Sequence, residues 1–323
     1  MIPSTRSLCV VAPVYNEGEM LKHFYDSLSS ALEAIEGRYT WTLIFVIDPS
    51  EDNTEEVARG IAAADDRVSA LLMSRRAGHQ MSLVAGMDHC TAEVCITMDA
   101  DLQHPPELIP EMLSLFEGGA DVVQTVRIRT EGLSPVKSGL SRAFYRAINR
   151  VSEVDFIESG ADFRLLSNRV LVLFQTQLRE RNPFLRGLVQ WVGFPTATLP
   201  FVAPARQSGT SKYSIGRSVG LALSGLVSFS KTPLRIGLIA GAVTALLAAV
   251  IGVFSLLPAL LGASVPAGWT TLAVLMALLS SAQLLTLGLL GVYIGAIFDE
   301  VKQRPPYLIR DTINPPQREH GGA

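Results

Sequence analysis

Two hydrophobic rhythms divide this chain. As far as residue 126, short apolar runs alternate with longer stretches of helical spacing, whereas residues 236–298 contain no Asp, Glu, Lys or Arg at all. Leu8–Pro13 is a valine-rich run without a polar break, the pattern of a strand buried on both faces. Residues 18–36 follow with apolar positions Met20, Leu21, Phe24, Leu28, Leu32 and Ile35, which is helical spacing. The same alternation predicts strands at Trp41–Ile47, Val68–Met73, Val94–Met98 and Asp121–Val126. Between them it predicts helices at Thr54–Ala64, Met81–His89 and Glu107–Glu117. Strands of this kind separated by helices imply an α/β domain with a mostly parallel central sheet, covered on both faces.

The charge-free stretch has room for two spans of about 20 residues. We place them at Ile236–Leu257 and Thr271–Phe298, broken by Pro258, Gly262, Pro266 and Gly268. Lys231 and Arg235 precede this two-helix transmembrane hairpin, and Lys302, Arg304 and Arg310 follow it, while the turn at 258–270 has no basic residue. The positive-inside rule then puts both flanks in the cytoplasm. Residues 217–230 are apolar with few charges and are expected to lie on the membrane surface as a helix. The expected organisation is therefore a cytoplasmic domain at 1–210, an interfacial segment at 211–235, spans within 236–298 and a cytoplasmic tail at 299–323. Gly237-x3-Gly241, Gly291-x3-Gly295 and the mid-span Gln283 favour helix–helix contacts in lipid.

Composition narrows the partners. A net charge of −3 argues against a general nucleic-acid binder. Cys9, Cys90 and Cys95 are odd in number and read as small core residues in a reducing compartment. Residues 1–7 lack the basic-then-apolar pattern of a signal peptide.

Ligands of parallel sheets bind beyond the carboxyl ends of the strands. Pro13-Val14-Tyr15-Asn16-Glu17, Asp48-Pro49-Ser50 and Asp99-Ala100-Asp101 all fall there. No G-x-G-x-x-G follows the first strand, so a dinucleotide site lacks its phosphate turn. An acidic pair at a strand end suits a metal and phosphates, and the charge-free stretch suits lipid. Together they point to an enzyme that brings a water-soluble phosphate compound to a lipid.

The ordered motifs carry a resemblance. They are the three just given, then Gly78-His79-Gln80, Asp99 to Gln103, Asp162-Phe163-Arg164-Leu165-Leu166, Glu180 to Gly187, Ser211-Lys212-Tyr213, Phe229-Ser230, Pro233-Leu234-Arg235 and Gly291-Val292-Tyr293-Ile294-Gly295. The chain resembles the family-2 glycosyltransferases over about residues 8–310. Within them it is similar to the polyprenyl-phosphate glycosyltransferases, the group of dolichol-phosphate mannose synthases and bactoprenol glucosyltransferases. The resemblance implies a nucleotide-sugar-binding fold of the glycosyltransferase A type. The family usually carries two acids and a glycine after the second strand, whereas Ile47-Asp48-Pro49-Ser50 stands here. That leaves the base or ribose contact, and with it the nucleotide, open.

The resemblance also implies roles. A divalent Mg2+ or Mn2+ would balance the donor diphosphate, with Asp101 and Gln103 as ligands and Asp99 orienting metal or ribose. Donor contacts are expected from Pro13, Tyr15, Glu17, Asp48, Arg75, Asp99, Arg206 and Lys212. Glu17 can equally be a helix-start acid, and the Arg75–Gln80 loop a solvated turn. Arg127, Lys137 and Ser141 are expected at the acceptor phosphate. Asp162 holds the implied acid–base position; its alternative is a salt bridge to Arg164 or Arg186. Catalysis is thus assigned to Asp162 and Asp101. Gln190 is followed directly by Trp191, so the Q-x-x-R-W motif of processive synthases is missing.

The implied function is inverting transfer of one sugar to polyprenyl (undecaprenyl) phosphate at the inner membrane, by a homo-oligomer. UDP-glucose is the first donor to consider, with GDP-mannose, N-acetylhexosamines and an aminoarabinose-type sugar open. A processive polysaccharide synthase, separable by product length, and a membrane-anchored pseudoenzyme or binding protein, separable by the absence of turnover, are the alternatives.

Overall fold

The computed structural model describes residues 5–130, 160–204, 237–244 and 268–316, with positions 157, 234, 246 and 250. The first unit is built on β1 (Arg6–Val14), α1 (Gly18–Glu33), β2 (Tyr39–Ile47), α2 (Thr54–Ala64), β3 (Val68–Met73), α3 (His79–His89) and β4 (Val94–Thr97). It continues with a 3-10 turn at Pro106–Leu108, α4 (Ile109–Glu117), β5 (Val122–Thr130), β6 (Gly160–Ser167), α5 (Asn168–Thr176), α6 (Leu185–Trp191) and β7 (Thr196–Ala203). After the apolar helix α7 (Trp269–Val301), the strand β8 (Ile309–Ile313) completes it.

The eight strands lie in the order β7-β5-β6-β4-β1-β2-β3-β8. β4, β1, β2 and β3 are mutually parallel, and β5 is parallel to β7. β6 runs antiparallel between β4 and β5, and β8 antiparallel along β3. The central strands are buried along almost their whole length, which is why they read as unbroken apolar runs. Helix α1 covers them with Leu21, Phe24, Leu28 and Leu32, one stripe at three- and four-residue spacing, and Phe24 meets Phe45 with ring centroids 6.2 Å apart.

Three strands, β6, β7 and β8, lie outside the runs that the hydropathy pattern predicts; β7 alternates exposed and buried positions near its end. β6 is buried at every position although it carries Asp162 and Arg164, because these charges pair within the protein. β8 lies in the segment expected to be a tail; its Asp311 pairs with Arg59 at 2.7 Å and its Arg310 with Glu55 at 2.7 Å. Asn314, just beyond, donates to the carbonyls of Ala62 and Val68. Cys9, Cys90 and Cys95 are buried free thiols.

The second unit contains α7, of which Leu278–Val301 (24 residues) is long and apolar enough to cross a membrane and is nowhere buried. At 1.5 Å per residue it spans about 36 Å, against roughly 30 Å of hydrocarbon. It is the one such helix among the described residues. Residues 237–244 are also helical, and a Cβ on Gly237 would touch Thr286 of α7 at 3.6 Å. Most of the expected first span, and so the complete hairpin, lies outside the described residues. Gln283 is exposed on α7.

Candidate active site

The carboxyl edge of the sheet is built by loops that fasten one another. Asn16 has φ +52°, a left-handed conformation that Asn tolerates better than most residues. Its N–H donates to Ser50 Oγ (3.1 Å) and its Oδ1 accepts the Glu51 N–H (2.9 Å). The first amides of α1 are satisfied from the neighbouring loop: Glu17 N–H donates to Thr54 Oγ1 and Gly18 N–H to Asp52 Oδ2, each at 3.0 Å. Burial pushes the Asp52 carboxyl up, but hydrogen bonds from Thr54 and the Gly18 amide outweigh it and hold the group below its usual range. A Cβ on Gly18 would fall 2.1 Å from Asn53 Oδ1 and 3.0 Å from the Thr54 nitrogen, so any larger residue would have to displace the Asn53 side chain.

Asp48 is buried, and its two oxygens accept the N–H groups of Ala77 (3.1 Å) and Gly78 (2.9 Å). The carboxylate expected at the base or ribose thus holds the β3–α3 loop, where Gly78 has φ +85°. Ile47, in place of the family's first acid, is a core side chain. Tyr15 carries the guanidinium of Arg76 over its ring at 3.9 Å, while Arg75 is exposed. Pro13, which lacks an N–H, sits beyond the last β1–β4 pair, Val11 with Thr97.

Asp99 and Asp101 follow β4 in a turn where Leu102 has φ +58° and Asp101 Oδ1 accepts the Gln103 N–H at 3.1 Å. The Asp99 N–H donates to Nδ1 of His104 at 2.9 Å, so His104 is neutral there and carries its proton on Nε2. Burial lowers the affinity of this ring for a second proton, and it stacks on Phe163 at 5.4 Å. Among the described residues no group of three or more His, Cys, Asp or Glu is placed to hold an ion. Two carboxylates two residues apart give a partial shell of hard oxygens. That fits Mg2+ or Mn2+, which commonly bind through one or two carboxylates and complete their shell with substrate phosphates.

Asp162 is the electrostatic centre. Its side chain is 5% exposed; Arg186 grips it with Nη2 on Oδ2 (2.8 Å) and Nε on Oδ1 (3.2 Å), and Arg164 bonds Oδ1. His79 Nε2 lies 3.3 Å from Asp162 Oδ2 and 3.4 Å from Asp99 Oδ1. Burial raises the Asp162 carboxyl, but Arg186, His79 and Arg164 together hold it well below the usual range. His79 is pulled down by burial and up by Asp99 and Asp162, and ends at about 9. In the metal-free protein the two carboxylates thus favour the protonated ring.

The structure thus brings Asp99, Asp101, Asp162 and Gln103 onto one edge, with Tyr15, Glu17 and Asp48 in the adjoining loops. Asp162 makes both salt bridges that were the alternative to an acid–base role. Arg127 lies on β5 over the Phe201 ring, 5.8 Å from its centroid. Lys137, Ser141, Arg206 and Lys212 lie outside the described residues. His79 stands in the sequence only as part of Gly78-His79-Gln80, without a role of its own, and His104 is not marked by any motif. The neighbours of His79 in Gly78-His79-Gln80 marked a loop, but only the return of β6 beside β4 makes its ring a bridge between two carboxylates.

A mostly parallel sheet with carboxylates on its carboxyl edge is an architecture that can hold a phosphate compound and a metal. Residues 9–171 match the glycosyl transferase family 2 domain, and the chain belongs to that family. It is 36% identical over 301 residues to the uncharacterized glycosyltransferase YkcC of Bacillus subtilis, covering 93% of this chain and 92% of that protein. It is 34% identical over 303 residues to the SfII prophage-derived bactoprenol glucosyl transferase of Shigella flexneri, covering 94% and 97%. Among solved structures, glucosyl-3-phosphoglycerate synthase from Mycobacterium tuberculosis, crystallised with Mn2+, UDP-glucose and phosphoglyceric acid, is 16% identical with a TM-score of 0.46, covering 69% of this chain and 78% of that one. At that distance it bears on neither donor nor metal here.

Proposed function

We propose that the protein transfers a single sugar, with inversion, from a nucleotide sugar to polyprenyl (undecaprenyl) phosphate at the cytoplasmic face of the inner membrane, with UDP-glucose as donor. The observation that carries this reading is the union, in one chain, of the Asp99–Asp101 edge with the exposed apolar helix Leu278–Val301. The near full-length likeness to a bactoprenol glucosyl transferase supports the acceptor.

The chemistry follows from charge. A phosphate oxygen of the acceptor forms a bond to the anomeric carbon while the bond from that carbon to the diphosphate oxygen breaks on the opposite face. The acceptor oxygen is already ionised near neutral pH, so positioning matters more than proton removal. Asp99, Asp101 and Gln103 would hold Mg2+ or Mn2+, which when bound supplies charge balance to the departing diphosphate. In this reading the nucleoside is assigned to Tyr15, Glu17 and the adjoining loop, the diphosphate to Arg75, Arg206 and Lys212, and the acceptor phosphate to Arg127, Lys137 and Ser141. The two-helix hairpin within 236–298 and a homo-oligomeric state complete the proposal. The purified chain in proteoliposomes, given undecaprenyl phosphate, a panel of nucleotide sugars and Mg2+ or Mn2+, should form one-sugar lipid products; polymers or no product would refute it.

A further inference from the structure

Asp162 can neutralise one positive charge, yet two guanidinium groups and the His79 ring reach it. Arg164 is buried and bonds one oxygen. His79 is shared with Asp99. Arg186 comes from the first turn of the seven-residue helix α6, lays two nitrogens across both carboxylate oxygens, and keeps 34% of its side chain exposed. Such a two-point grip fixes the plane of a guanidinium as well as its place. The backbone behind it is fixed too, because the Leu185 N–H donates to Gln80 Oε1 at 3.1 Å, next to His79. The contacts run Arg186–Asp162–His79–Asp99, so the arginine stands two side chains from the candidate metal edge.

A buried structural carboxylate needs one arginine, and Arg164 supplies it. A second, half-exposed and orientationally locked arginine on the same carboxylate is an arrangement for meeting another anion. From this geometry we infer that Arg186 is a direct ligand of a substrate phosphate and that Asp162 is its positioning residue. The inference rests on the function proposed above and assigns a part of the same site. It also accounts for Asp162 without proton transfer: a carboxylate holding two guanidinium groups is a weak base, and an anionic acceptor requires none. The phosphate belongs either to the donor diphosphate or to the lipid acceptor.

The test uses the full chain in nanodiscs, as wild type, Arg186→Gln and Asp162→Asn, with inorganic pyrophosphate (with Mn2+) and undecaprenyl phosphate as binding probes. Arg186→Gln leaves Asp162 paired with Arg164 and His79, so the fold should survive; thermal unfolding checks this. It should weaken one probe by about tenfold or more, the usual scale for a lost charge-assisted contact, and leave the other within about twofold. Pyrophosphate identifies the donor as the source, undecaprenyl phosphate the acceptor. Asp162→Asn should weaken the same probe, less strongly. Equal affinity of wild type and Arg186→Gln for both probes overturns the inference. Wild type that binds the probes but transfers no sugar overturns the proposed function instead.

Discussion

At the residue scale, the site is a set of charges whose partners are specified by different strands. Asp101 sits at a strand end where it adds little to the core, so Asp101→Ala should fold and insert normally while losing at least about a hundredfold in turnover, the scale expected when charge balance on a leaving group is removed. Full activity in the variant, or in wild type treated with excess chelator, would contradict this. His79 gives a pH signature in the metal-free protein. Its folded value, about 9, lies above the ordinary histidine value of 6.5. Protonated His79 therefore stabilises the fold fully below pH 6.5, and that contribution is lost as pH rises through 9. The difference in denaturant midpoint between wild type and His79→Gln should be largest near pH 6 and gone above pH 9.5 or so. A difference independent of pH would mean that His79 is not an imidazolium in the fold.

At the element scale, the parallel core was legible because β1–β4 are nearly continuous apolar runs and α1 and α2 each carry one apolar stripe, whereas α3 is buried throughout from Met81 to Met87. Thr54–Ala64 and Val68–Met73 begin and end where the pattern places them. β6 was not legible, since Asp162 and Arg164 interrupt its hydropathy and only their mutual pairing makes burial tolerable. β8 was hidden for a related reason. An edge strand needs few apolar residues, and its charges are answered by Glu55 and Arg59 from α2, about 250 residues away in sequence. The site divides in the same way: Asp99, Asp101 and Asp162 stand out as residues, whereas the role of Asp48 depends on amides of another loop and that of His79 on β6. Because β8 covers the outer edge of β3, a chain ending at residue 308 should expose that edge. Such a truncation should aggregate or lose monodispersity in size-exclusion chromatography; unchanged behaviour would show that β8 is dispensable.

At the scale of the whole molecule, the sequence of units matters more than their shapes. The chain leaves the sheet after β7, passes through the apolar region and returns to the sheet as β8. In the proposed two-span hairpin both flanks of the apolar region would lie on one side, with the turn between the spans on the other. A cysteine introduced at Ala263 should therefore react with a membrane-impermeant maleimide from outside intact cells. Reaction only after the membrane is permeabilised would reverse the proposed topology.

The central claim is a transfer that joins the two halves, and it is tested by mixing the purified full chain with undecaprenyl phosphate, radiolabelled UDP-glucose and Mg2+ or Mn2+ in proteoliposomes. The account predicts a lipid product carrying one glucose, formed by wild type and absent with Asp101→Ala. Label that stays water-soluble with every nucleotide sugar tried, or product of growing length, would contradict it.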